Sequence, residues 1–188
     1  MVADAAAQAG WCIAGVCDDA AEPVASAVGG HRRLGGLSLA FLGARLIALG
    51  SIAARRRIIG TLTGVDDDDL TTIVHPRSVV SPRARVDAGG FVGAAAVIQP
   101  FAVIARHAII NTGAIVEHEC ELGENVHIAP GAVLAGNVRI GADTLVGIGA
   151  RVLPGVRIGR GCTIGAGAVV VKDVTDGVTV VGVPGRVR

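Results

Sequence analysis

From Val79 to Val174 the chain repeats every six residues: VVSPRA RVDAGG FVGAAA VIQPFA VIARHA IINTGA IVEHEC ELGENV HIAPGA VLAGNV RIGADT LVGIGA RVLPGV RIGRGC TIGAGA VVVKDV. The second place of all sixteen hexads, from Val80 through Leu122 and Ile128 to Val170, is aliphatic, and the sixth is Ala, Gly, Cys, Thr or Val throughout. Ordinary strand alternation drifts out of a six-residue register, so a gapless run of this kind is sought before any local reading. It predicts a parallel β-helix in which each hexad forms one short flat side and a turn. The aliphatic residue points inward, the small sixth residue fits a crowded interior, and Gly, Asn or Asp eases the corners. If three hexads close one coil, stacked positions lie 18 residues apart and the repeat makes a little over five coils.

Composition fits a core of thin aliphatic layers: 51% of the 188 residues are hydrophobic, 28 are Gly, and only Trp11, Phe41, Phe91 and Phe101 are aromatic. A net charge of +1, with no aromatic-rich basic motif, gives no reason to expect a nucleic acid as partner. Cys12, Cys17, Cys120 and Cys162 form no metal-type cluster and read as reduced thiols of a cytoplasmic protein without a signal peptide. Leu34–Ala54 is apolar enough to raise the question of a membrane span, yet Arg45 sits mid-span and four glycines interrupt it. A central charge costs about 2.5–3.5 kcal/mol in a bilayer, so the stretch is read as a buried strand with an adjoining helix.

Residues 1–72 have a different texture and are read as a small α/β unit, with residues 73–188 as the β-helix and its cap. VADAAAQAG predicts a helix ending at Gly10, WCIAGVCDD a strand, ARLIALGS a second strand, IAARRRIIGTL a helix and DDDD (66–69) a solvated turn. VTDGVTVVGVPGRVR predicts a short strand and loop over the last coil.

Chemistry concentrates at IVEHECELGENVH, residues 115–127, with two His and four Glu in a chain otherwise sparing of charge. His118 holds the fourth place of its hexad, an outward corner, and the residue 18 further on is Gly136. A His beside Glu119 is placed for proton transfer, since a carboxylate raises imidazole basicity and fixes its tautomer; a polar corner without chemistry is the plain alternative. His127 lies half a coil from His118, so the two meet only if a neighbouring subunit presents one to the other. His107, His118 and His127 share no column 18 residues apart, which disfavours the three-His zinc site of a carbonic anhydrase, and no metal is expected. Cys120 occupies a small inward position, where packing accounts for it better than nucleophilic chemistry.

IINTGAIVEHECELGENVHIAPGAVLAGNVRIG with the ending VVGVPGRV, and GVCDD, IALGS-x-x-x-R and IVHP before them, resembles the hexapeptide-repeat sugar acetyltransferases acting on sialic acid or nucleotide-linked 4-amino sugars. The resemblance implies a mainly β fold, a left-handed parallel β-helix preceded by a truncated Rossmann-like α/β domain, in a homotrimer with sites between subunits. It implies acetyl-CoA as co-substrate, His118 as general base and Glu119 as its partner. His127 and the Gly136 backbone would lie at the thioester, and Gly167, Lys172 and Arg186 along coenzyme A. Asn111 would contact the sugar, and Asp18 and Asp19 the nucleotide. The chain begins at what resembles the helix after that family's first strand and Gly-rich turn, so the expectation is either a start lying further upstream or a small domain that has lost nucleotide binding. O-acetylation of sialic acid or serine, and a non-catalytic sugar-nucleotide scaffold, are the competing expectations.

Overall fold

The computed structural model describes residues 1–18, 27–28, 30–36, 44–61 and 67–188. The repeat folds as a left-handed parallel β-helix whose two-residue strands stack in three sheets. It begins at Ile73, one hexad before the register read from the sequence. Ile109 pairs with Phe91 below and His127 above, Ile115 with Val97 and Val133, and Glu121 with Val103 and Arg139. Every partner is thus 18 residues away. The first face carries the row Ile73, Phe91, Ile109, His127, Leu145 and Thr163; the second contains Ile115, and the third Glu121.

Inward positions behave as the register requires. Val92, Ile98, Ile104, Ile110, Val116, Ile128 and Leu134 are buried, interleaved with Ala96, Ala102, Ala114, Cys120 and Ala132. The corners have a single geometry: from Gly89 to Gly167 the fifth place of every hexad has positive φ. Glycine fills half of these places and Asn125, Asn137 and Asp143 three more, which are the residue types that tolerate the left-handed region. Ala95, Phe101, His107 and Glu119 occupy it against their own preference. At the far end Thr179–Val181 stacks on Thr163 and pairs antiparallel with Arg186–Val187, closing the last coil.

Helix α1 (Val2–Gln8) packs its buried Ala5 and Ala6 against Ile73, Phe91 and Ile109, so the outward row of the first face is apolar where a helix covers it. Strands β1 (Val16–Cys17), β2 (Ala27–Val28) and β3 (His31–Gly35) form a small sheet in the order β1-β3-β2, parallel then antiparallel. Helix α2 (Ile52–Thr61) starts where Ser51 Oγ accepts the Ala54 N–H at 3.3 Å, a side-chain cap on an otherwise unpaired donor. The strand expected over ARLIALGS is reduced to one parallel bridge between Arg45 and Leu70, since the chain runs past its neighbour rather than along it. Residues 37–43, Asp66 and Asp19 lie outside the described residues. Among the described residues no helix is long and apolar enough to cross a membrane.

Candidate active site

His118 and Glu119 sit where the second face turns into the third. The turn is pinned by Glu119 N–H donating to Pro100 O at 3.2 Å and Asn137 N–H donating to His118 O at 2.9 Å. Both side chains are more than half exposed, and His118 Nδ1 lies 3.1 Å from Glu119 Oε2. A carboxylate only accepts, so Nδ1 carries the hydrogen and Nε2 keeps the lone pair, the atom a general base needs. One coil on, a Cβ built at Gly136 would meet His118 Cε1 and Nε2 at 2.6 Å. The imidazole therefore lies over bare backbone. Among the described residues Gly136 N–H has no hydrogen-bond partner, although Ala135 and Asn137 on either side both donate.

Glu119 holds φ +59°, a conformation costing about 1–2 kcal/mol for a residue with a Cβ. The same φ recurs at every corner from Gly89 to Gly167, so it belongs to the solenoid and Glu119 simply bears its cost. Glu119→Gly is expected to raise stability by about 1 kcal/mol in thermal unfolding. The same variant should lose about ten- to hundredfold in activity, as for other histidines deprived of an orienting carboxylate.

A second cluster lies on the first face, under the N-terminal elements. His127 Nδ1 is 3.1 Å from Gly50 O, and His127 Nε2 is 3.2 Å from Asn111 Nδ2, while Asn111 Oδ1 accepts the Thr112 N–H at 2.7 Å. Burial, then the Arg55 charge, lowers the His127 pKa below the ordinary imidazole value, with the Gly50 carbonyl opposing. The groove beside it runs between α2 and the solenoid, lined by Ser51, Ile52, Ala129, Leu145, Gly147 and Ile164. Glu119 instead borders a groove on the third face, with Phe101, Val103, Asn137 and Arg139.

The polar run read from the sequence therefore divides its work. Glu119 faces His118, Glu121 pairs with Arg139 at 3.4 Å, and Glu124 receives Arg56 at 2.9 Å. His118, Glu119 and Gly136 come together, and so do Asn111 and His127, but the two groups belong to different faces of one chain. Asp18 follows β1 with its N–H on Gly35 O, at the carboxyl end of a parallel pair; Asp19 is outside the described residues. Gly167 is a left-handed corner, Lys172 is exposed, and Arg186 is exposed in the closing strand. His107 covers Gly89 and is buried, its pKa lowered chiefly by burial. Among the described residues no group of three side chains is arranged to hold a metal.

Sequence reasoning missed the anchorage of α2. Arg55 is 1% exposed and binds Asn125, while Arg56 reaches Glu124 and Asp143. The one available signal was the polar column Asn125–Asp143, 18 residues apart, whose side chains hydrogen-bond at 2.7 Å.

The family model for bacterial transferase hexapeptide repeats matches residues 101–136 and 137–172. The chain is similar over its full length to the acetyltransferase domain of PglB from Neisseria gonorrhoeae FA1090 in complex with acetyl coenzyme A. The two are 36% identical, with 92% of that chain covered and a TM-score of 0.90. It is equally similar to PerB from Caulobacter crescentus in complex with CoA and GDP-perosamine: 36% identity, 100% of this chain, 90% of the other, TM-score 0.90. WeeI from Acinetobacter baumannii AYE is 25% identical over 93% of this chain and 85% of its own, with a TM-score of 0.78. A comparison with curated proteins found no match.

Proposed function

Because this chain belongs to the hexapeptide-repeat sugar acetyltransferases and is an acetyl-CoA-dependent acyltransferase, we propose that its acceptor is the amine of a nucleotide-linked 4-amino-4,6-dideoxy sugar. The observation that carries the reading is the His118–Glu119 pair over the side-chain-free Gly136. His118 Nε2 takes the proton from the sugar amine as its nitrogen attacks the thioester carbonyl. The unpartnered Gly136 N–H steadies the oxyanion. The new C–N bond forms, the C–S bond breaks, and the proton held by His118 goes to the departing sulfur. Gly167, Lys172 and Arg186 lie on later coils and suit the remainder of the co-substrate, whose phosphates the two cations would meet. Asp18, at the end of β1, suits the nucleotide, within an N-terminal unit of residues 1–72.

The two clusters on separate faces support a homotrimer in which His118 of one copy meets Asn111 and His127 of the next, in the cytoplasm where acetyl-CoA is found. The test is CoA release, followed with a thiol reagent, over a panel of UDP- and GDP-linked 4-amino sugars, sialic acid and serine. Release confined to the amino sugars is the expected result. Release with hydroxyl acceptors alone reassigns the acceptor, and none with any leaves a binding scaffold.

A further inference from the structure

Arg55 is held in an expensive way for a residue that merely docks a helix. Its guanidinium is buried, and its bonds all go to carbonyl-type oxygens: Nε to Asn125 Oδ1 at 2.7 Å, Nη2 to Asn125 O at 3.0 Å, Nη1 to Leu49 O at 2.7 Å and Gly50 O at 3.2 Å. Among the described residues no carboxylate touches it directly; Asp143 acts through Asn125, whose Nδ2 donates to Asp143 Oδ1 at 2.7 Å. A buried charge without a contacting counter-ion is costly, and an apolar side chain would seat the helix at less expense. What only this fork does is fix the Gly50 carbonyl from one side while His127 takes it from the other.

The consequences run outward one bond at a time. With Gly50 O as acceptor, His127 carries its hydrogen on Nδ1, so Nε2 is left to accept. Asn111 has its oxygen committed to the Thr112 N–H, so its amide nitrogen turns to Nε2. One amide hydrogen is thereby used, and no described residue takes the second. Burial, and after it the Arg55 charge, disfavours a proton on His127, which keeps Nε2 an acceptor. The IALGS-x-x-x-R stretch thus supplies both the clamped carbonyl, Gly50 O, and Arg55, which holds it together with His127.

We infer that Arg55 is a positioning residue for acetyl transfer: through Gly50 O and His127 it locks the Asn111 amide so that its second N–H is presented to a hydroxyl of the sugar acceptor. This rests on the acetyltransferase reading with Asn111 at the acceptor. The direct measurement is the His127 tautomer in the full-length protein by long-range proton–nitrogen NMR at neutral pH, with Arg55→Lys beside it. Wild type is expected to show Nδ1 protonated and Nε2 bare. Arg55→Lys keeps the charge but loses the fork; His127 should become a tautomer mixture, and the acceptor KM should rise about tenfold, the equivalent of about 1.4 kcal/mol. The KM for acetyl-CoA should stay within about twofold.

A wild-type His127 protonated at Nε2 overturns the inference without any variant, even if Arg55→Lys fails to fold. Arg55→Lys with an unchanged tautomer and acceptor KM, but a lower melting temperature, overturns it in favour of plain helix docking. If wild type transfers acetyl to no acceptor, the functional reading fails, and the tautomer still decides whether the relay exists.

Discussion

Replacing His118 by alanine is expected to lower kcat about 10²–10⁴-fold, the range contributed by a positioned general base, while the KM for acetyl-CoA stays near its wild-type value. The side chain is more than half exposed and, among the described residues, its only side-chain partner is the neighbouring Glu119, so its removal leaves no cavity and no orphaned buried group. The melting temperature should therefore be unchanged. That combination separates chemistry from folding. CoA release measured at saturating acetyl-CoA, beside a thermal melt, checks both, and an active His118→Ala enzyme would mean that another group takes the proton.

Gly136→Ala should be nearly as damaging for a different reason. The new Cβ would stand 2.6 Å from His118 Cε1 and Nε2, well inside contact distance, and the imidazole tip is the part free to move. Gly136 does not have the left-handed φ of the corner glycines, so alanine adopts its backbone without strain. The ring should swing away from its position over the Gly136 N–H, separating base from oxyanion donor. A loss of about 10²–10³-fold in kcat is expected, comparable to removing one oxyanion donor, with the fold intact by circular dichroism. Full activity in this variant would show that the base does not work above Gly136.

These two residues were legible before any coordinates because the hexad converts sequence distance into stacking. His118 and Gly136 are 18 apart, and the ladder places Ile115 on Val133 in the same coils. Cys120 and Cys162 could be assigned to the interior for the same reason. The corner geometry was half legible: Gly, Asn and Asp mark it, but Glu119 holds the same φ with no compositional sign. Arg55 stood in the IALGS-x-x-x-R motif, but its contacts were not legible. Its partner Asn125 is 70 residues away and Gly50 lies 77 from His127, so both contacts depend on how α2 seats against the solenoid. No periodicity fixes that. Within residues 1–72, one bridge at Arg45 replaced the expected strand over ARLIALGS, because short pairing there follows tertiary packing rather than local propensity.

The coil length also makes the site a matter of phase. Each inward position accepts an aliphatic residue from whichever hexad arrives there, so the interior would tolerate six residues gained between His118 and Asn125. The ladder would close, the corners would remain left-handed, and the core would be as dry as before. His118 would nevertheless stand one face round from its place relative to the helix anchored at Asn125 and Asp143. Three hexads, a full coil, would restore the angle and lengthen the spacing along the axis. The ladder reads the sequence modulo six and catalysis reads it modulo eighteen, so an insertion can keep the coils and lose the site.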